Sequence, residues 1–548
     1  MESIGVDLSQ LSPKPFEGEQ LAAIEAIGRE VDYPAGAMVL DVGEPLDRFI
    51  YLRAGEIEVV NPYTGDRLLP GTLKPGQFAG ELNFLNGGSA TLGMRAAAAT
   101  RTLEVPRDAM LQLMADVPEL SDHILTVFSA RRRMQVAQGR SAITLLGADR
   151  DPAVQRVASF LSRNRIPFQS FDLDAQGEDM AHLCRVADDG PAVIFNKGQK
   201  IDEPTPRKVA GLLGLDLDSG EHPGLDLLIV GGGPAGVAAA VYAGSEGLKA
   251  LVIEDAAIGG QAGTSSRIEN YMGFPTGISG ADLVYRGQIQ AMKFGTRFAM
   301  PRRVERLERN DGGFCATLDG GQQLCARAVL VATGVQYRRL PIERIEEYEG
   351  TGVYYAATEM EARFCRETDA VVIGGGNSAG QAAMYLSRAA RHVHLLVRSD
   401  SLAATMSSYL RERLEAEPRI SIHYHSRLTG LDGGEHLERV AIDERGKRRE
   451  IDCRALFVMI GAAPNTDWLC ELVDLDDKGF VRTGRDAGGR SGYETSCPGI
   501  FAVGDVRSGS VKRVASSVGE GSVVVSSIWT HVEAAKDAAE QAGAAPAG

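Results

Sequence analysis

The sequence lacks a long hydrophobic run and a long basic run. It contains no stretch of about 18 apolar residues, and its opening MESIGVDLSQ is acidic and polar, without the apolar segment of an export signal. The net charge is −15 and is spread along the chain, which removes the usual source of attraction to nucleic acid or to an anionic membrane. We therefore expect a cytoplasmic protein with neither a nucleic-acid nor a membrane partner.

Closely spaced cysteines are also missing. The seven cysteines are odd in number and include no C-x-x-C spacing, which argues against a disulfide framework or a zinc site. We expect no metal site, and we expect most of the cysteines to be small buried hydrophobic residues. They are Cys184, Cys315, Cys325, Cys365, Cys453, Cys470 and Cys497.

The first part of the chain, residues 1–138, is rich in short strand-like runs broken by glycine and proline, such as RFIYLRAGEIEVV and DRLLPGTL. This pattern predicts a small β-barrel or jelly roll. In RDAMLQLMADVPELSDHILTVFSARRRMQVAQ, apolar residues then recur three and four positions apart. That spacing predicts a helix, which we expect to lead away from the barrel, where a second subunit can pack against it.

A chain of 548 residues exceeds what one hydrophobic core usually serves, so further domains are expected. Residues 141–217 alternate strand-like and helix-like runs, such as SAITLLGAD and PAVQRVASFLSRNR, and predict a small independent α/β domain. The polar stretch DLDSGEHPG follows as a linker into the rest of the chain.

A strand–glycine–helix pattern opens the remaining part, in LDLLIVGGGPAGVAAAVYAGSEGLKALVIED. Gly231 permits a sharp turn, Gly233 lets the backbone approach a pyrophosphate, and Gly236 lets the helix pack on the strand. Glu254 ends the second strand, where its carboxylate can accept hydrogen bonds from a ribose diol. The segment predicts a dinucleotide site, although such a glycine motif alone is weak and can be a structural turn.

A second segment, DAVVIGGGNSAGQAAMYLSRAARHVHLLVRSD, repeats the design with Gly374, Gly376 and Ala379. Two such segments imply two dinucleotides. Arg398 stands where an NAD site would carry an acidic residue, and its guanidinium can pair with a 2′-phosphate. NADPH is therefore favoured over NADH, and the alternative is that Arg398 is a surface residue at a strand end.

Five more segments follow in order. They are GGQ at 259–261, IENYMGFP at 268–275, VATG at 331–334, GIFAVGDV at 499–506 and KRVASSVGEG at 512–521. Together with the two glycine motifs, they make residues 225–535 resemble the low-molecular-weight thioredoxin reductase family. The resemblance implies a homodimer with two Rossmann-like, three-layer ββα dinucleotide-binding domains. One is an FAD domain formed by 225–339 and 463–540, and the other is an NAD(P)H domain inserted at 340–462.

The resemblance also implies the residues that bind each cofactor. The residues implied for FAD are Gly231, Gly233, Pro234, Ala235, Gly236, Glu254, Gly260, Gln261, Asn270, Gly334, Gly504, Asp505, Arg513, Val514 and Ala515. Those implied for NADPH, with NADH possible, are Gly374, Gly376, Asn377, Ser378, Ala379 and Arg398.

The chain departs from that family at its redox-active C-x-x-C. The corresponding run, GVYYAATEMEARFC, carries Ala356, Ala357, Thr358 and Glu359 at those positions. Thiolate attack and disulfide exchange have no substitute in these side chains. Cys365 lies nearby, but one thiol cannot cycle through an internal disulfide.

Two weaker resemblances concern the domains before the body. The middle domain, 141–217, resembles a glutaredoxin-type thioredoxin fold in which ADRDP replaces the C-P-Y-C segment, so we expect a redox-inactive adaptor. The front domain resembles a cyclic-nucleotide-binding domain through PGQFAGELNFLNGGSATLGMRA, which implies an effector site at Gly80, Glu81 and Leu82. Ala90 stands at the position of the phosphate-pairing arginine, although Arg95 can reach inward. The alternatives are a cyclic nucleotide, another ligand and a docking role.

These observations together predict a flavoprotein that transfers hydride from NAD(P)H to FAD and on to an acceptor that needs no internal disulfide. We assign no catalytic residue, because the flavin supplies the reaction. The acceptor is not identified and can be a protein or a small molecule. One alternative is a weakly catalytic sensor or scaffold that uses the bound nucleotides as signals, and the least favoured is a genuine thioredoxin-disulfide reductase.

Overall fold

The computed structural model is described here over most of the chain. The described residues are 15–16, 18–61, 65–138, 143–148, 151–172, 191–195, 199–216, 224–264, 268, 271–310, 312–348, 352–355, 357, 362, 365–434, 436–469 and 471–543.

The N-terminal domain contains two four-stranded antiparallel sheets, with strand orders β1-β8-β3-β6 and β2-β7-β4-β5. Buried aromatic side chains, among them Phe16, Phe49 and Phe78, pack in its core. The strands are β1 (Arg29–Tyr33), β2 (Met38–Leu40), β3 (Arg48–Ala54), β4 (Ile57–Val60), β5 (Arg67–Leu73), β6 (Phe78–Ala79), β7 (Gly93–Ala96) and β8 (Thr100–Pro106), and the helices are α1 (Gly18–Ile27), α2 (Asn83–Asn86), α3 (Arg107–Asp116) and α4 (Pro118–Gln138).

Helix α4 does not lead away from this domain, and that expectation was wrong. Its Phe128 is buried in edge-on contact with the rings of Phe78 and Phe84. Arg131, one turn further along, donates hydrogen bonds to the carbonyl oxygens of Phe78 (2.7 Å) and Gly80 (3.0 Å). The apolar stripe that the sequence shows is therefore used within the domain, because burying an aromatic ring there stabilises the fold.

The middle domain has one four-stranded sheet of order β10-β9-β11-β12, in which β9 and β10 are parallel and β11 is antiparallel to both neighbours. Helix α5 begins after Asp151, whose carboxylate accepts hydrogen bonds from the N–H groups of Ala153 and Val154. The elements are β9 (Ile143–Gly147), α5 (Pro152–Arg163), β10 (Gln169–Asp172), β11 (Ala192–Phe195), β12 (Gln199–Asp202) and α6 (Pro206–Leu212).

The body begins with a seven-stranded sheet of order β15-β14-β13-β18-β17-β16, with β29 beside β18. Its strands β13, β14, β15, β18 and β29 are parallel, so their carboxyl ends meet at one edge. The elements are β13 (Leu225–Val230), α7 (Pro234–Ser245), β14 (Ala250–Ile253), α8 (Gly280–Lys293), β15 (Arg297–Ala299), β16 (Val304–Asn310), β17 (Gly313–Leu318), β18 (Gln323–Val331), β29 (Ile500–Ala502) and α11 (Val514–Gly543).

A second parallel sheet, of order β20-β27-β21-β22-β23, carries an antiparallel sheet β24-β25-β26 beside it. Strands β19 and β28 pair where the chain enters and leaves this unit, near the predicted borders at 339 and 463. The elements are β19 (Val335–Tyr337), β20 (Val353–Tyr354), β21 (Asp369–Ile373), α9 (Asn377–Leu386), β22 (His392–Val397), α10 (Ser408–Ala416), β23 (Ile420–Tyr424), β24 (Ser426–Gly433), β25 (Leu437–Glu444), β26 (Lys447–Asp452), β27 (Ala455–Val458) and β28 (Ala462–Pro464).

The cysteines behave as expected in part. Cys365, Cys453 and Cys497 are free and buried. Cys315 and Cys325 instead form a disulfide between the facing positions of β17 and β18, so the expectation of unpaired cysteines was wrong for these two. A ten-residue separation in sequence gave no sign of the pairing, because it follows from strand register.

Two features are absent from the described residues. No described helix has the length and apolar character that crossing a membrane requires. In the same residues, no group of three or more His, Cys, Asp or Glu side chains is placed to hold a metal ion.

Candidate dinucleotide site

The turn after β13 requires glycine for steric reasons. Gly231 has a φ of 109°, and a Cβ there would lie 2.3 Å from the carbonyl oxygen of Ala332. A Cβ on Gly236 would lie 1.9 Å from the carbonyl oxygen of Gly231. Gly233, in contrast, has no heavy atom within 4 Å of such a Cβ, so its backbone faces open space at the start of α7. This is the arrangement in which a helix N-terminus can receive a phosphate.

Glu254 lies at the carboxyl end of β14, as the sequence predicts for a ribose acceptor. Its carboxylate is buried and accepts hydrogen bonds from the N–H groups of Gly232 (2.7 Å) and Ala256 (3.1 Å). Burial raises the pKa of this carboxyl, and the neighbouring Asp255 raises that pKa further. Two backbone donors leave part of the carboxylate's acceptor capacity for the hydroxyls of a ligand.

A cavity of about 770 Å³ lies at the carboxyl edge of the first sheet. It contains most of the predicted FAD residues. Gly236 lies behind the cavity wall, and Ala515 is exposed outside it, while Asn270 falls outside the described residues. The predicted residues that line it are Gly231, Gly233, Pro234, Ala235, Glu254, Gly260, Gln261, Gly334, Gly504, Asp505, Arg513 and Val514.

The surroundings of Asp505 and Gly260 show whether FAD can fit this cavity. The Oδ1 atom of Asp505 is buried and has no hydrogen-bond partner among the described residues, and burial raises the pKa of the carboxyl. A ligand hydroxyl would satisfy this acceptor. A Cβ on Gly260 would lie 3.1 Å from the Cα of Gly233, so a larger residue would narrow the cradle. The lining residues therefore fit a dinucleotide with a hydroxyl-bearing chain.

The second glycine turn has the same steric character. Gly374 has a φ of 147°, and a Cβ there would lie 2.3 Å from the carbonyl oxygen of Met459. Gly376 is the N-cap residue of α9. The side-chain oxygen of Asn377 accepts a hydrogen bond from the N–H of Ser407 at 2.9 Å, and Ala379 is buried. The turn therefore offers a second helix N-terminus for a phosphate.

Helix α9 brings the second unit to the first cavity. Ser378, Gln381, Ala382 and Tyr385, all on α9, line the same 770 Å³ cavity as the first glycine turn. Arg398 is exposed just beyond β22 and does not belong to this lining. Of the predicted NADPH residues, Ser378 lines this cavity, whereas Gly374, Gly376, Asn377 and Ala379 do not. The second unit therefore contributes one face of α9 to the cavity, and its own glycine turn lies outside the lining.

Sequence reasoning missed several lining residues. Thr333 donates to the carbonyl oxygen of Asn465 at 3.0 Å, and the indole N–H of Trp468 donates to the same oxygen at 3.1 Å. Lys512 precedes the predicted Arg513 and also lines the cavity. Thr333 and Trp468 are far apart in sequence. The pairing of β19 with β28 brings the segments that carry them together.

The region of the missing C-x-x-C is described only at Ala357, which lines the cavity; Ala356, Thr358 and Glu359 fall outside the described residues. Cys365 is buried in the core of the second unit. Cys325 lies near the start of β18, whereas the cavity residues follow its end. At about 3.3 Å per residue this separation is roughly 20 Å, so the described disulfide lies away from the cavity.

A second cavity, of about 350 Å³, lies in the N-terminal domain. Of the three predicted effector residues, Gly80 and Glu81 line it, whereas Leu82 packs in the core. Ala90 also lines the cavity. Arg95 does not reach inward, because its guanidinium pairs with Glu58 at 2.6 Å.

Polar contacts connect the three domains. Arg132 on α4 pairs with Glu81 at 3.0 Å and donates to the carbonyl oxygen of Arg165 at 3.3 Å. The guanidinium of Arg165 in turn pairs with Asp282 of helix α8 at 2.7 Å. A chain of contacts therefore runs from the N-terminal cavity through the middle domain to the body.

Comparison with known proteins agrees with this geometry. The family described as "Pyridine nucleotide-disulphide oxidoreductase" matches residues 225–521, which is more than half of the chain, and the cyclic nucleotide-binding domain matches residues 30–117.

Individual relatives agree with the family match. The chain is 32% identical over 325 residues to the thioredoxin reductase of Streptomyces clavuligerus, covering 59% of this chain and 98% of that protein. It is 34% identical over 310 residues to the thioredoxin reductase of Treponema pallidum, covering 56% and 97%. The crystal structure of Lactococcus lactis thioredoxin reductase in its FR conformation is similar with a TM-score of 0.50 and 28% identity, covering 56% of this chain and 99% of that one. The chain therefore belongs to the thioredoxin-reductase-like pyridine nucleotide-disulphide oxidoreductase family and carries a cyclic nucleotide-binding domain in front of the family's region.

Proposed function

We propose that this protein is an FAD-dependent NAD(P)H oxidoreductase. The observation that carries the proposal is the cavity that the first glycine turn lines together with helix α9 of the second unit. When bound, FAD would supply two-electron chemistry with a nicotinamide. Two observations support FAD in this cavity: the Oδ1 atom of Asp505 has no hydrogen-bond partner among the described residues, and the backbone at Gly233 is open.

The protein's own residues bind and orient in this proposal. The N–H groups at the start of α7 receive the pyrophosphate, Glu254 accepts from the ribose diol, and Asp505 accepts from the hydroxyl-bearing chain. The N-terminus of α9 at Gly376 receives the nicotinamide dinucleotide, and Arg398 selects its 2′-phosphate. The side chains of α9 that line the FAD cavity support the approach of a nicotinamide to the flavin.

We further propose that the acceptor is reached without an internal disulfide. The relatives named above are thioredoxin reductases, and their names favour disulfide reduction. Disulfide exchange requires a thiolate with access to its target. The chain has no C-x-x-C, and each free cysteine that the structure describes is buried. Burial raises the pKa of the Cys453 thiol to about 12, which disfavours its thiolate.

The proposed domain plan assigns residues 1–138 to a jelly-roll effector domain and 141–217 to a thioredoxin-like adaptor. The sheet orders of both units support these assignments. The body comprises the FAD domain, 225–339 with 463–540, and the NAD(P)H domain, 340–462. The chain of contacts from Glu81 through Arg165 to Asp282 supports regulation of the body by a ligand of the front domain. A cytoplasmic homodimer completes the proposal.

A sensor that binds both nucleotides with little turnover is the second candidate, and the effector domain favours it. Stopped-flow mixing with NADPH and with NADH separates the two functions. An oxidoreductase loses its flavin colour rapidly and then turns over steadily with an added quinone, dye or ferredoxin. Retention of the flavin colour after mixing with either nucleotide would reject the oxidoreductase and support the sensor.

A further inference from the structure

The cavity of the N-terminal domain is lined almost entirely by apolar groups. Strands β2, β4, β5 and β7 supply one side, and the segment from Gly80 to Leu92 supplies another. Helix α4 completes the lining with Arg131, Met134 and Gln135. The main apolar lining residues are Leu40, Leu46, Ile57, Val59, Leu92 and Met94. Such a surface favours a ligand with a hydrocarbon or aromatic body, because burying apolar area is the main source of affinity.

The groups that a cyclic nucleotide needs are absent or already engaged. Ala90 offers no cation for a cyclic phosphate, and Arg95 is paired with Glu58. Glu81 is buried, and its carboxylate accepts from the N–H and hydroxyl of Thr91 and from Arg132. Freeing that carboxylate for a ribose would leave the Arg132 guanidinium buried without its counter-ion, which is costly.

One cation does line this cavity. The guanidinium of Arg131 donates to the carbonyl oxygens of Phe78 and Gly80 and lies 5.4 Å from the centre of the Phe78 ring. Among the described residues no carboxylate pairs with it. Burial lowers the pKa of Arg131 to about 10, so the side chain is still protonated at neutral pH. Two of its five N–H donors are used, and the rest can bind an anion.

Gln135 adds a second polar group at the same place. It lies four residues after Arg131, hence on the same side of α4, and its buried Oε1 atom has no partner among the described residues. Arg131 and Gln135 therefore place two polar groups along one helix, opposite the apolar strands, whereas the other ionisable lining residue, Glu81, is already paired with Arg132.

We propose that the N-terminal cavity binds an apolar organic monoanion, with a hydrocarbon or aryl body against the strands and its carboxylate or sulfonate on Arg131. The inference rests on the effector role given to this domain in the proposed function. Its test measures binding with no electron transfer, so it can fail while the redox proposal stands.

Isothermal titration of the full-length flavoprotein tests the inference with four probes. Decanoate and 8-anilinonaphthalene-1-sulfonate distinguish an alkyl from an aryl body, decanol removes the charge, and cAMP presents the cyclic phosphate. We expect at least one of the two anions to bind. For a decanoate site, we expect decanol to bind at least tenfold more weakly than decanoate. cAMP should neither bind nor compete.

Arg131→Gln should weaken binding of the anion at least tenfold and leave decanol binding unchanged. Arg101→Gln, which alters an exposed pair with Asp32 on the same domain, is the matched control and should bind as the natural protein does. If Arg131→Gln does not fold, the decanoate–decanol difference in the natural protein still decides the matter. Equal binding of decanoate and decanol, competition by cAMP, or no heat from either anion would overturn the proposal. Loss of flavin colour on adding NADPH to the same preparation reports separately on the redox function.

Discussion

The two cavities of this protein are lined by different kinds of groups. The body cavity is formed by backbone turns and polar side chains at the ends of parallel strands, and its key carboxylate, Asp505, has an oxygen atom that no described residue satisfies. The N-terminal cavity is formed by apolar side chains, and its carboxylate, Glu81, is satisfied by Thr91 and Arg132. A buried carboxylate oxygen that the protein leaves without a partner is therefore a stronger sign of a ligand than a carboxylate whose oxygens are already paired.

The largest difference between the two cavities should appear when one methyl group is added to each cavity region. Gly236→Ala forces a Cβ against the carbonyl oxygen of Gly231, and we expect the protein to lose its bound FAD and about 1–3 kcal/mol of stability. Gly71→Ala, in the N-terminal cavity, meets no heavy atom within 4 Å and should retain FAD and change stability by less than about 0.5 kcal/mol. Flavin content and urea unfolding measure both. Full flavin in the Gly236→Ala variant would contradict the steric account.

The two carboxylates offer a second test, in which each substitution should change a different property. Glu81→Gln leaves Arg132 buried without a counter-ion and should cost about 3–5 kcal/mol of stability. Asp505→Asn removes a carboxylate acceptor from the proposed FAD site and should weaken FAD binding about fivefold, since a hydrogen bond to a charged group contributes about 1 kcal/mol more than a neutral one.

Because burial already raises the pKa of Asp505, the FAD-free form of Asp505→Asn should be at least as stable as the unaltered protein. Asp477→Asn, at an exposed position, is the control. Thermal unfolding with and without FAD separates the two effects, and an FAD-free Asp505→Asn protein that melts at lower temperature would refute the interpretation.

The cations extend the comparison, since Arg131 lines an apolar cavity whereas Arg398 is exposed beyond β22. If Arg398 pairs with a 2′-phosphate, Arg398→Gln should raise the KM for NADPH about tenfold, as loss of one charge-assisted pair implies, and leave the KM for NADH unchanged. Steady-state rates with both nucleotides provide the measurement. An equal change for both would show that Arg398 does not read the phosphate.

The smallest expected effect is a dependence of stability on pH, and it arises in the second parallel sheet of the body. His394 hydrogen-bonds to His423 (3.0 Å) and Asp369 (3.3 Å). Burial holds the pKa of His394 below 6.5, with repulsion from His423 and His392 adding to it and Asp369 opposing it. The unfolded chain therefore binds more protons just below pH 6.5, and the free energy of unfolding should fall as the pH drops from 7 toward 5.

His394→Gln should flatten this slope, and urea unfolding at several pH values measures it. The lowered pKa of Asp369 also decreases the free energy of unfolding as the pH falls. Because that decrease occurs only at more acidic pH, the contributions of His394 and Asp369 can be distinguished. An unchanged slope in the His394→Gln protein would remove His394 from this account.

Many lining residues of the body cavity could be named from the sequence because they belong to local patterns. A glycine at a positive φ, such as Gly231 or Gly374, is required by the turn itself and therefore appears in the sequence at a fixed spacing. Asp505 was predicted from the family resemblance that GIFAVGDV carries, and it lies three residues after the end of β29. In contrast, Thr333 and Trp468 join the site through strand pairing over more than a hundred residues, which no local pattern encodes.

The N-terminal cavity was harder to predict for the same physical reason. Its character depends on which of several similar arginines faces inward, and the structure selects Arg131 and turns Arg95 toward Glu58. The Cys315–Cys325 pair likewise depends on register rather than on spacing. Helix α4 was predicted as a helix from its periodicity. The surface against which it packs could not be predicted in the same way.

Anaerobic titration of the purified protein with NADPH, followed by flavin absorbance, tests the central claim that a nicotinamide nucleotide reduces FAD bound in the body cavity. We predict one FAD per chain and complete loss of flavin colour at about one equivalent of NADPH, as a two-electron donor requires. A colourless protein that does not take up added FAD, or a flavin that keeps its colour in excess NADPH, would contradict the account.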